Sequence, residues 1–288
     1  MSYSISSKNF NNPLLKELLE KLTHFFASID SEFFVIGATA RDIIISGIHS
    51  QQPGRKTDDL DIAIAIPDWD KFDEISKGIE CIEGFQKSSS QKQRFLFQRI
   101  FMVDVVPFAE VAKADNNIYW PPEETHAMSV IGFSEIARNT LEVEIDNSFT
   151  IYVASLPGIF LLKLSAWRDR KIETNKDAED IAFIISNYLE INELRAANEN
   201  YDIYEVDDFS TYIAGATLLG RDAKEILISS PEILDEFISI LKEQVESAEE
   251  SLLINQILET HYGLTYEEVH GGFAVIINEL IENHPNAE

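Results

Sequence analysis

The sequence has very little cysteine, no long apolar run and, toward its end, few basic residues. Its only cysteine, Cys81, cannot form an internal disulfide bond, so we expect it to pack as a small apolar side chain. The six histidines do not have the spacing of a zinc site. No run of about 18 apolar residues is present, and the opening MSYSISSKNFNN lacks the apolar core of a secretory signal. These absences predict a soluble, cytoplasmic protein without a membrane partner and without zinc.

Negative charge is abundant and unevenly distributed. The formal net charge is −27; residues 1–180 contain 19 Lys and Arg against 28 Asp and Glu, whereas residues 181–288 contain 4 against 22. Such an acidic second part repels a nucleic-acid backbone over long distances. Any contact with nucleic acid is therefore expected at a local basic patch in the first part. The acidic remainder is explained as a solvated surface that keeps the protein soluble.

The hydrophobic pattern changes near residue 154. Before it, short apolar segments that alternate like strands are interleaved with amphipathic helices; FMVDVVPF is expected to form a hairpin with RFLFQRI over a join near Ile100. Beyond it, every segment has helical spacing. We predict an α+β fold, with a mixed sheet flanked by helices in residues 1–153 and a helical domain in residues 154–288. A further boundary is expected near 190–203.

Three local predictions can be tested directly against a structure. Thr39 is expected to cap a helix that ends at Gly47. The Gly271-Gly272 pair is expected to form a helix-breaking loop rather than a phosphate site. The late helices are predicted at 204–229, 231–258 and 266–282.

Two carboxylates open an otherwise apolar strand. Asp59 and Asp61 precede and interrupt LDIAIAI, and residues two apart on a strand share one face, about 7 Å from each other along the backbone. Such carboxylates repel one another and are costly to desolvate unless a hard cation such as Mg²⁺ lies between them. The pattern thus indicates a metal site. A solvated strand end is the alternative.

A third carboxylate, Asp104, lies inside FMVDVVPF. If this strand is adjacent to the first, Asp104 completes a site for one or two Mg²⁺ ions, an arrangement suited to attack on a nucleotide phosphate. The strand, Gly37-Ala38 turn and helix that precede these segments would bring backbone amides close to a phosphate. The alternative is that Asp104 faces solvent on an edge strand.

The densest basic stretch of the chain follows in the helical part. A polyanion would bind there, although the same residues would also complement the dipole at a helix end. Its members are Lys163, Arg168, Arg170, Lys171 and Lys176.

Together these motifs resemble a known family. The segments Gly37-Ala38-Thr39-Ala40-Arg41-Asp42 and Thr57-Asp58-Asp59-Leu60-Asp61, with Asp104, are similar to the pattern of polymerase-β-like nucleotidyltransferases, most closely the AbiEii-type branch. Many members of that branch are toxins of toxin–antitoxin or phage-defence pairs. The resemblance covers about residues 30–190, and it implies the mixed sheet of that superfamily.

The resemblance also implies an activity and its residues. The enzyme would use Mg²⁺ or Mn²⁺ to transfer a nucleoside monophosphate from an NTP to a hydroxyl of a tRNA end, a protein or a small molecule, and it would have an antitoxin or another partner protein. The alternative is a catalytically silent binding or regulatory module. The implied metal ligands are Asp59, Asp61 and Asp104, which form the catalytic set with Lys163 and Asp177. The implied nucleotide-binding residues are Gly37, Ala38, Thr39, Arg41, Thr57, Lys163 and Arg168.

Overall fold

The computed structural model of the protein describes residues 2–49, 51, 59–124 and 127–282. Thr57 and Asp58, with residues 52–56 before them, lie outside these residues. The chain divides into two compact units, Met1–Ile159 and Phe160–Glu288. The domain boundary predicted between residues 153 and 154, and the further one near 190–203, stay predictions. Across the described residues, no helix combines the length and the apolar character needed to cross a membrane.

The first unit is built on strands. They are β1 (Ser2–Ile5), β2 (Phe34–Ile36), β3 (Asp59–Ala65), β4 (Phe85–Lys87), β5 (Arg94–Phe97), β6 (Phe101–Phe108), β7 (Asn117–Tyr119), β8 (Ala127–Ser129), β9 (Thr140–Ile145) and β10 (Phe149–Ala154). Its helices are α1 (Leu14–Ser28), α2 (Gly37–Asp42), α3 (Trp69–Glu80) and α4 (Phe133–Ala137).

Eight of the described strands form one sheet, in the order β1-β9-β10-β2-β3-β6-β5-β4. The pairs β1/β9, β2/β10 and β3/β6 are parallel, and the remaining neighbours are antiparallel. Strands β7 and β8 form a separate pair. The predicted mixed sheet is therefore confirmed, as is the hairpin of β5 and β6, in which Phe97 pairs with Phe101.

Local sequence explains the elements that frame the site. In β3, Leu60, Ile62 and Ile64 are at most 1% exposed, which accounts for the strand alternation. The side chain of Asp68 accepts a hydrogen bond from the backbone N–H of Lys71 at 2.8 Å and caps α3. The buried residues of that helix, Phe72, Ile75 and Ile79, recur at helical spacing.

Two predictions in the first unit are wrong. The helix after β2 begins at Gly37 rather than after a cap at Thr39, and it continues as a π-helix over Ile43–Ile48. Cys81, which was expected to pack as a small apolar side chain, is exposed at the C-cap of α3.

Helix α5 (Leu156–Arg170) continues into the second unit, and the described part of that unit is helical, as predicted. Its further helices are α6 (Lys176–Ile191), α7 (Glu193–Glu199), α8 (Thr211–Leu227), α9 (Pro231–Glu246), α10 (Leu252–Thr260) and α11 (Tyr266–Ile281). The single helix predicted over 231–258 is two helices, because the side chain of Ser251 accepts from the N–H of Ile254 and caps a new one.

The predicted Gly271-Gly272 loop is also wrong, since both residues lie inside α11. A Cβ at position 272 would lie 2.6 Å from a ring carbon of Tyr212 on α8. Glycine therefore permits the close approach of two helices, and the packing gained outweighs its low helix propensity.

Candidate active site

The turn after β2 lies directly against a carboxylate. Ile36, the last residue of β2, pairs with Asp61 of β3, and Gly37 follows with a φ of +68°. A Cβ at position 37 would lie only 2.4 Å from Oδ2 of Asp61. Position 37 thus requires glycine for two reasons, the left-handed backbone and the space that the Asp61 carboxylate occupies.

The three predicted carboxylates occupy one face of the sheet. Asp61 pairs with Asp104 in the parallel register of β3 and β6, and Asp59 precedes it by two positions. Paired residues of neighbouring strands share a face, so all three point to the same side. Their strand neighbours Leu60 and Val103 are 0% exposed on the other side. The edge-strand alternative for Asp104 is wrong, because β6 lies between β3 and β5.

Arg94 on β5 adds a cation to this face. It pairs with Asp104 across the hairpin, and its guanidinium donates from Nε to Oδ1 at 2.8 Å and from Nη2 to Oδ2 at 2.7 Å. The hydrogen bonds to Asp104 raise the pKa of Arg94; the charges of Asp61 and Asp59 act in the same direction, while burial opposes them. Arg94 therefore lies within electrostatic reach of all three carboxylates.

The donor set can be compared with the needs of a divalent metal. Carboxylate oxygens are the ligands that Mg²⁺ prefers, and three of them on one face have the right chemistry. Within the described part of the chain, however, no group of three or more His, Cys, Asp or Glu side chains is arranged to hold a metal ion. Both oxygens of Asp104 accept from Arg94 instead. The residues fit Mg²⁺ in donor type, and Arg94 provides the nearby positive charge in this arrangement.

The predicted nucleotide ligands around the turn are mostly interior. Ala38 is 7% exposed and Thr39 is 3% exposed. The Thr39 hydroxyl donates to the backbone carbonyl of Asp59 at 2.6 Å, which ties the turn to the start of β3. Arg41 is 1% exposed, and its Nε and Nη2 donate to Oδ1 of Asp42 at 2.9 and 2.7 Å. These contacts stabilise the turn and the start of the helix that follows it. Contacts of these residues, and of Thr57, with a nucleotide stay predictions.

The second unit contains a separate, buried ionic cluster. Nζ of Lys163, on α5, lies 3.1 Å from Oδ1 of Asp177 and 2.6 Å from Oδ2 of Asp180, both on α6. Arg170 donates to both oxygens of Asp177 at 2.7 and 2.8 Å. The Asp177 and Asp180 side chains are 0% and 1% exposed, and that of Lys163 is 12% exposed. Two buried carboxylates are thus matched by a mostly buried lysine and a half-exposed arginine.

Lys163 and Asp177 are both charged at neutral pH. Burial works against the charged form of Lys163, but the attraction of Asp180 and Asp177 outweighs it and raises the pKa of the lysine. Burial likewise opposes the charge of Asp177, but its bonds to Arg170 and Lys163 lower the pKa of this carboxyl. Both groups are therefore ionised when folded.

Two further basic residues of the stretch, Arg168 and Lys171, also face carboxylates. Nη1 of Arg168 lies 2.8 Å from Oε2 of Glu236, and Nζ of Lys171 lies 3.9 Å from Oε1 of Glu243. The predicted polyanion patch is thus largely neutralised within its own unit.

The family model described as the nucleotidyl transferase AbiEii toxin of type IV toxin–antitoxin systems matches residues 20–225. The chain belongs to the AbiEii family. It is therefore a nucleotidyltransferase, and the predicted resemblance is confirmed. The matched segment includes the carboxylates of β3 and β6 and also Lys163 and Asp177. Comparison with curated proteins and with solved structures gives no match.

The residue of this AbiEii-family enzyme that sequence reasoning missed is Arg94. A signal was present: in a hairpin that pairs Phe97 with Phe101, the residue opposite Asp104 is Arg94. A cation that opens one strand and a carboxylate inside its hairpin partner would have predicted the ion pair.

Proposed function

We propose that this enzyme transfers a nucleoside monophosphate from an NTP to an acceptor hydroxyl, with Asp59, Asp61 and Asp104 as its metal ligands. In the reaction, the hydroxyl oxygen forms a bond to the α-phosphorus while the bond from that phosphorus to pyrophosphate breaks. The observation that carries the proposal is the register of β3 and β6, which pairs Asp61 with Asp104 on the face that Gly37 adjoins.

Mg²⁺ or Mn²⁺, bound to these three carboxylates, would supply positive charge to the triphosphate and to the leaving pyrophosphate. Asp104 would orient the acceptor hydroxyl and receive its proton. Each carboxylate oxygen has a lone pair beyond the one that Arg94 uses. The two hydrogen bonds from the Arg94 guanidinium would therefore hold Asp104 in position without preventing it from binding a metal. This makes Arg94 a positioning residue.

The turn would contact the phosphates through its backbone. Gly37 and Ala38 are small, so the main chain can approach a triphosphate closely. Thr39 and Arg41 are assigned a supporting role, because Thr39 is bonded to β3 and Arg41 to Asp42. Thr57 would contact the nucleotide as the resemblance implies.

In the second unit, we assign Lys163 to the triphosphate and Asp177 to holding the lysine in its charged state. Support comes from the raised pKa of Lys163 and from the buried partners that cause it. Arg168, which is partly exposed, would make a peripheral contact with the nucleotide.

We further propose that the enzyme acts as a toxin with a cognate antitoxin in the cytoplasm, in line with its family. The acceptor is a tRNA end, a protein or a small molecule. A catalytically silent module is the second candidate, and the bonding of both Asp104 oxygens to Arg94 is the observation that favours it.

The deciding experiment incubates the protein with Mg²⁺ and each α-³²P-labelled NTP, alone and with cell RNA or cell protein. Label on one of these acceptors is expected, and Asp61→Asn should reduce it about a hundredfold or more because a charge-stabilising ligand is lost. Asp70→Asn changes an exposed carboxylate on α3 and serves as the matched control. No label anywhere favours the silent module. A fully active Asp59→Ala/Asp61→Ala variant refutes the site.

A further inference from the structure

The first unit has a cleft whose residues the reaction above does not use. Its volume is about 400 Å³, and it lies between α3, the loop that joins β4 to β5, and the segment at Trp120. Its lining includes Trp69, Phe72, Lys87, Ser88, Lys92 and Trp120.

Aromatic rings form one wall of the cleft. The ring centroids of Trp69 and Trp120 are 5.1 Å apart, and both rings contact Phe72, at 5.8 and 5.2 Å. Phe72 is buried, whereas the two tryptophans are only half-buried. Part of each indole therefore remains accessible at the cleft. Such surface is costly to leave in water, and it suits a flat apolar ligand such as a nucleobase.

A half-buried ammonium group lies at the same cleft. Nζ of Lys87 is 4.1 Å from the ring centroid of Phe95 and 5.3 Å from that of Phe72, and it donates to Oγ of Ser76 at 3.2 Å. Burial lowers the pKa of Lys87. Among the ion pairs of the described residues, none includes Lys87. A half-buried cation that Asp73 and Glu80 attract without forming an ion pair with it gains further from an anion that enters the cleft.

Polar groups suited to a sugar and a phosphate also line the cleft. The loop Ser88–Gln91 offers hydroxyl and amide groups, and Lys77 is exposed. Lys92 is bonded to Glu123 and to the carbonyl of Pro121. Asp73 and Glu80 also line the cleft. Their negative charge repels a long polyanion such as a duplex more strongly than it repels a single nucleotide with one phosphate.

The cleft is connected to the carboxylate face through the backbone. Ser88 N–H donates to the carbonyl of Arg94 at 2.9 Å, and Arg94 N–H donates to the carbonyl of Gln91 at 3.3 Å. The loop that lines the cleft thus ends at the residue that holds Asp104. Lys87 pairs with Phe95, whereas Arg94 shares the face of Asp104, so the cleft and the carboxylates lie on opposite faces of the sheet and are joined by this loop.

We propose that this cleft binds a single nucleotide unit, with its base against Trp69 and Trp120 and its phosphate at Lys87. The unit belongs to a single-stranded part of an RNA acceptor, away from the hydroxyl that reacts. The assignment of this RNA as the acceptor rests on the proposed function. Binding of RNA to the cleft can nevertheless be measured without any turnover.

Tryptophan fluorescence reports this site directly. The chain has three tryptophans, and the third, Trp167, is 1% exposed. We expect a short single-stranded RNA, added without Mg²⁺ or NTP, to quench the emission and to bind less tightly as salt rises. AMP is the second probe. If AMP alone saturates the site as tightly as RNA, the source is a free nucleotide and the RNA assignment is overturned.

Two variants and a control test the residues. Lys87→Met removes the charge but keeps the chain length, and Trp120→Phe removes the indole; each should weaken RNA binding about tenfold. Lys113→Met, which changes an exposed lysine paired with Glu124 outside the cleft, should leave it unchanged. Circular dichroism confirms that each variant is folded. Quenching that is absent, or affinity unchanged in both folded cleft variants, overturns the inference.

The two proposals fail in different ways. If wild-type protein labels RNA but the cleft variants keep the wild-type KM for RNA, the cleft is wrong and the nucleotidyltransferase site stands. If RNA binds at the cleft but no NTP gives label on any acceptor, the cleft proposal stands and the proposed reaction is wrong.

Discussion

The guanidinium of Arg94 holds both carboxylate oxygens of Asp104 in a two-pronged ion pair. The two side chains are 28% and 16% exposed, so water screens their attraction only in part. Arg94 is also attracted by Asp61 and Asp59. One cation therefore partly balances three carboxylates, which would otherwise repel one another on one face of the sheet.

This balance predicts how the protein binds metal. Arg94→Gln should bind Mn²⁺ about tenfold more tightly than the wild type in the absence of nucleotide, because a competing positive charge is removed. Electron paramagnetic resonance of free Mn²⁺ measures the affinity without reference to activity. Arg94→Lys keeps the charge but not the fork, and its affinity should stay near that of the wild type. A folded Arg94→Gln variant with unchanged affinity would show that Arg94 does not compete with the metal.

Gly37 allows a sharp test of the turn. Gly37→Ala would place a Cβ 2.4 Å from the Asp61 carboxylate in a left-handed backbone conformation, so either the turn or Asp61 must move. We expect a loss of about 1–3 kcal/mol in the free energy of unfolding and at least a tenfold loss of transfer activity. Urea unfolding and the labelling assay measure the two effects. Gly263→Ala is the matched control, since a Cβ there meets nothing within 4 Å. Equal effects of the two substitutions would contradict the prediction.

Lys163 should be essential to the stability of the second unit. Lys163→Met leaves Asp180 and Asp177 buried without its ammonium, and breaking a buried pair in this way costs about 3–5 kcal/mol. Lys171→Met, which alters a partly exposed lysine 3.9 Å from Glu243, should cost less than about 1 kcal/mol. Urea unfolding of both variants measures the difference. Adding Asp180→Asn to Lys163→Met should recover part of the loss, and a pair of equally mild single variants would disprove the prediction.

The pKa of Asp177 predicts a pH dependence. Its folded pKa lies below the ordinary value of 3.8, so the stability that it contributes is present above pH 3.8 and is lost as the pH falls further through the folded pKa. Asp177→Asn should therefore be less stable than the wild type by a constant amount at neutral pH, and the gap should narrow below about pH 4. Chemical unfolding at a series of pH values tests this. A difference in the free energy of unfolding that grows as the pH falls would contradict the prediction.

Local patterns in the sequence were sufficient for several elements. The alternation of LDIAIAI predicts β3. The cap at Asp68 and the helical spacing of the apolar residues after it predict α3. Both signals depend only on residues that are close together in the sequence. The carboxylates at positions 59 and 61 share a face for the same local reason. Pairings between distant segments leave no such trace: β1 joins β9 about 140 residues later, and its strand was not predicted.

Two local signals were overturned in the second unit. Gly271 and Gly272 are helix breakers by propensity, yet α11 continues through them because α8 lies too close for a larger side chain at position 272. The predicted helix over 231–258 is interrupted at Ser251, whose buried hydroxyl caps α10. Close packing against α8 decided the first outcome, and a capping hydrogen bond decided the second.

By itself, the sequence determined which residues are candidates for the chemistry: a glycine turn, two carboxylates at strand spacing, a third on another apolar segment, and a lysine among leucines. Only the tertiary structure decided which acidic residue pairs with which basic residue. The register of β5 and β6 assigns Arg94 to Asp104, and the contact of α5 with α6 assigns Lys163 to Asp177 and Asp180. The physical reason is that the strength of an ion pair depends on distance and burial, and both are set by segments that meet only when the chain folds.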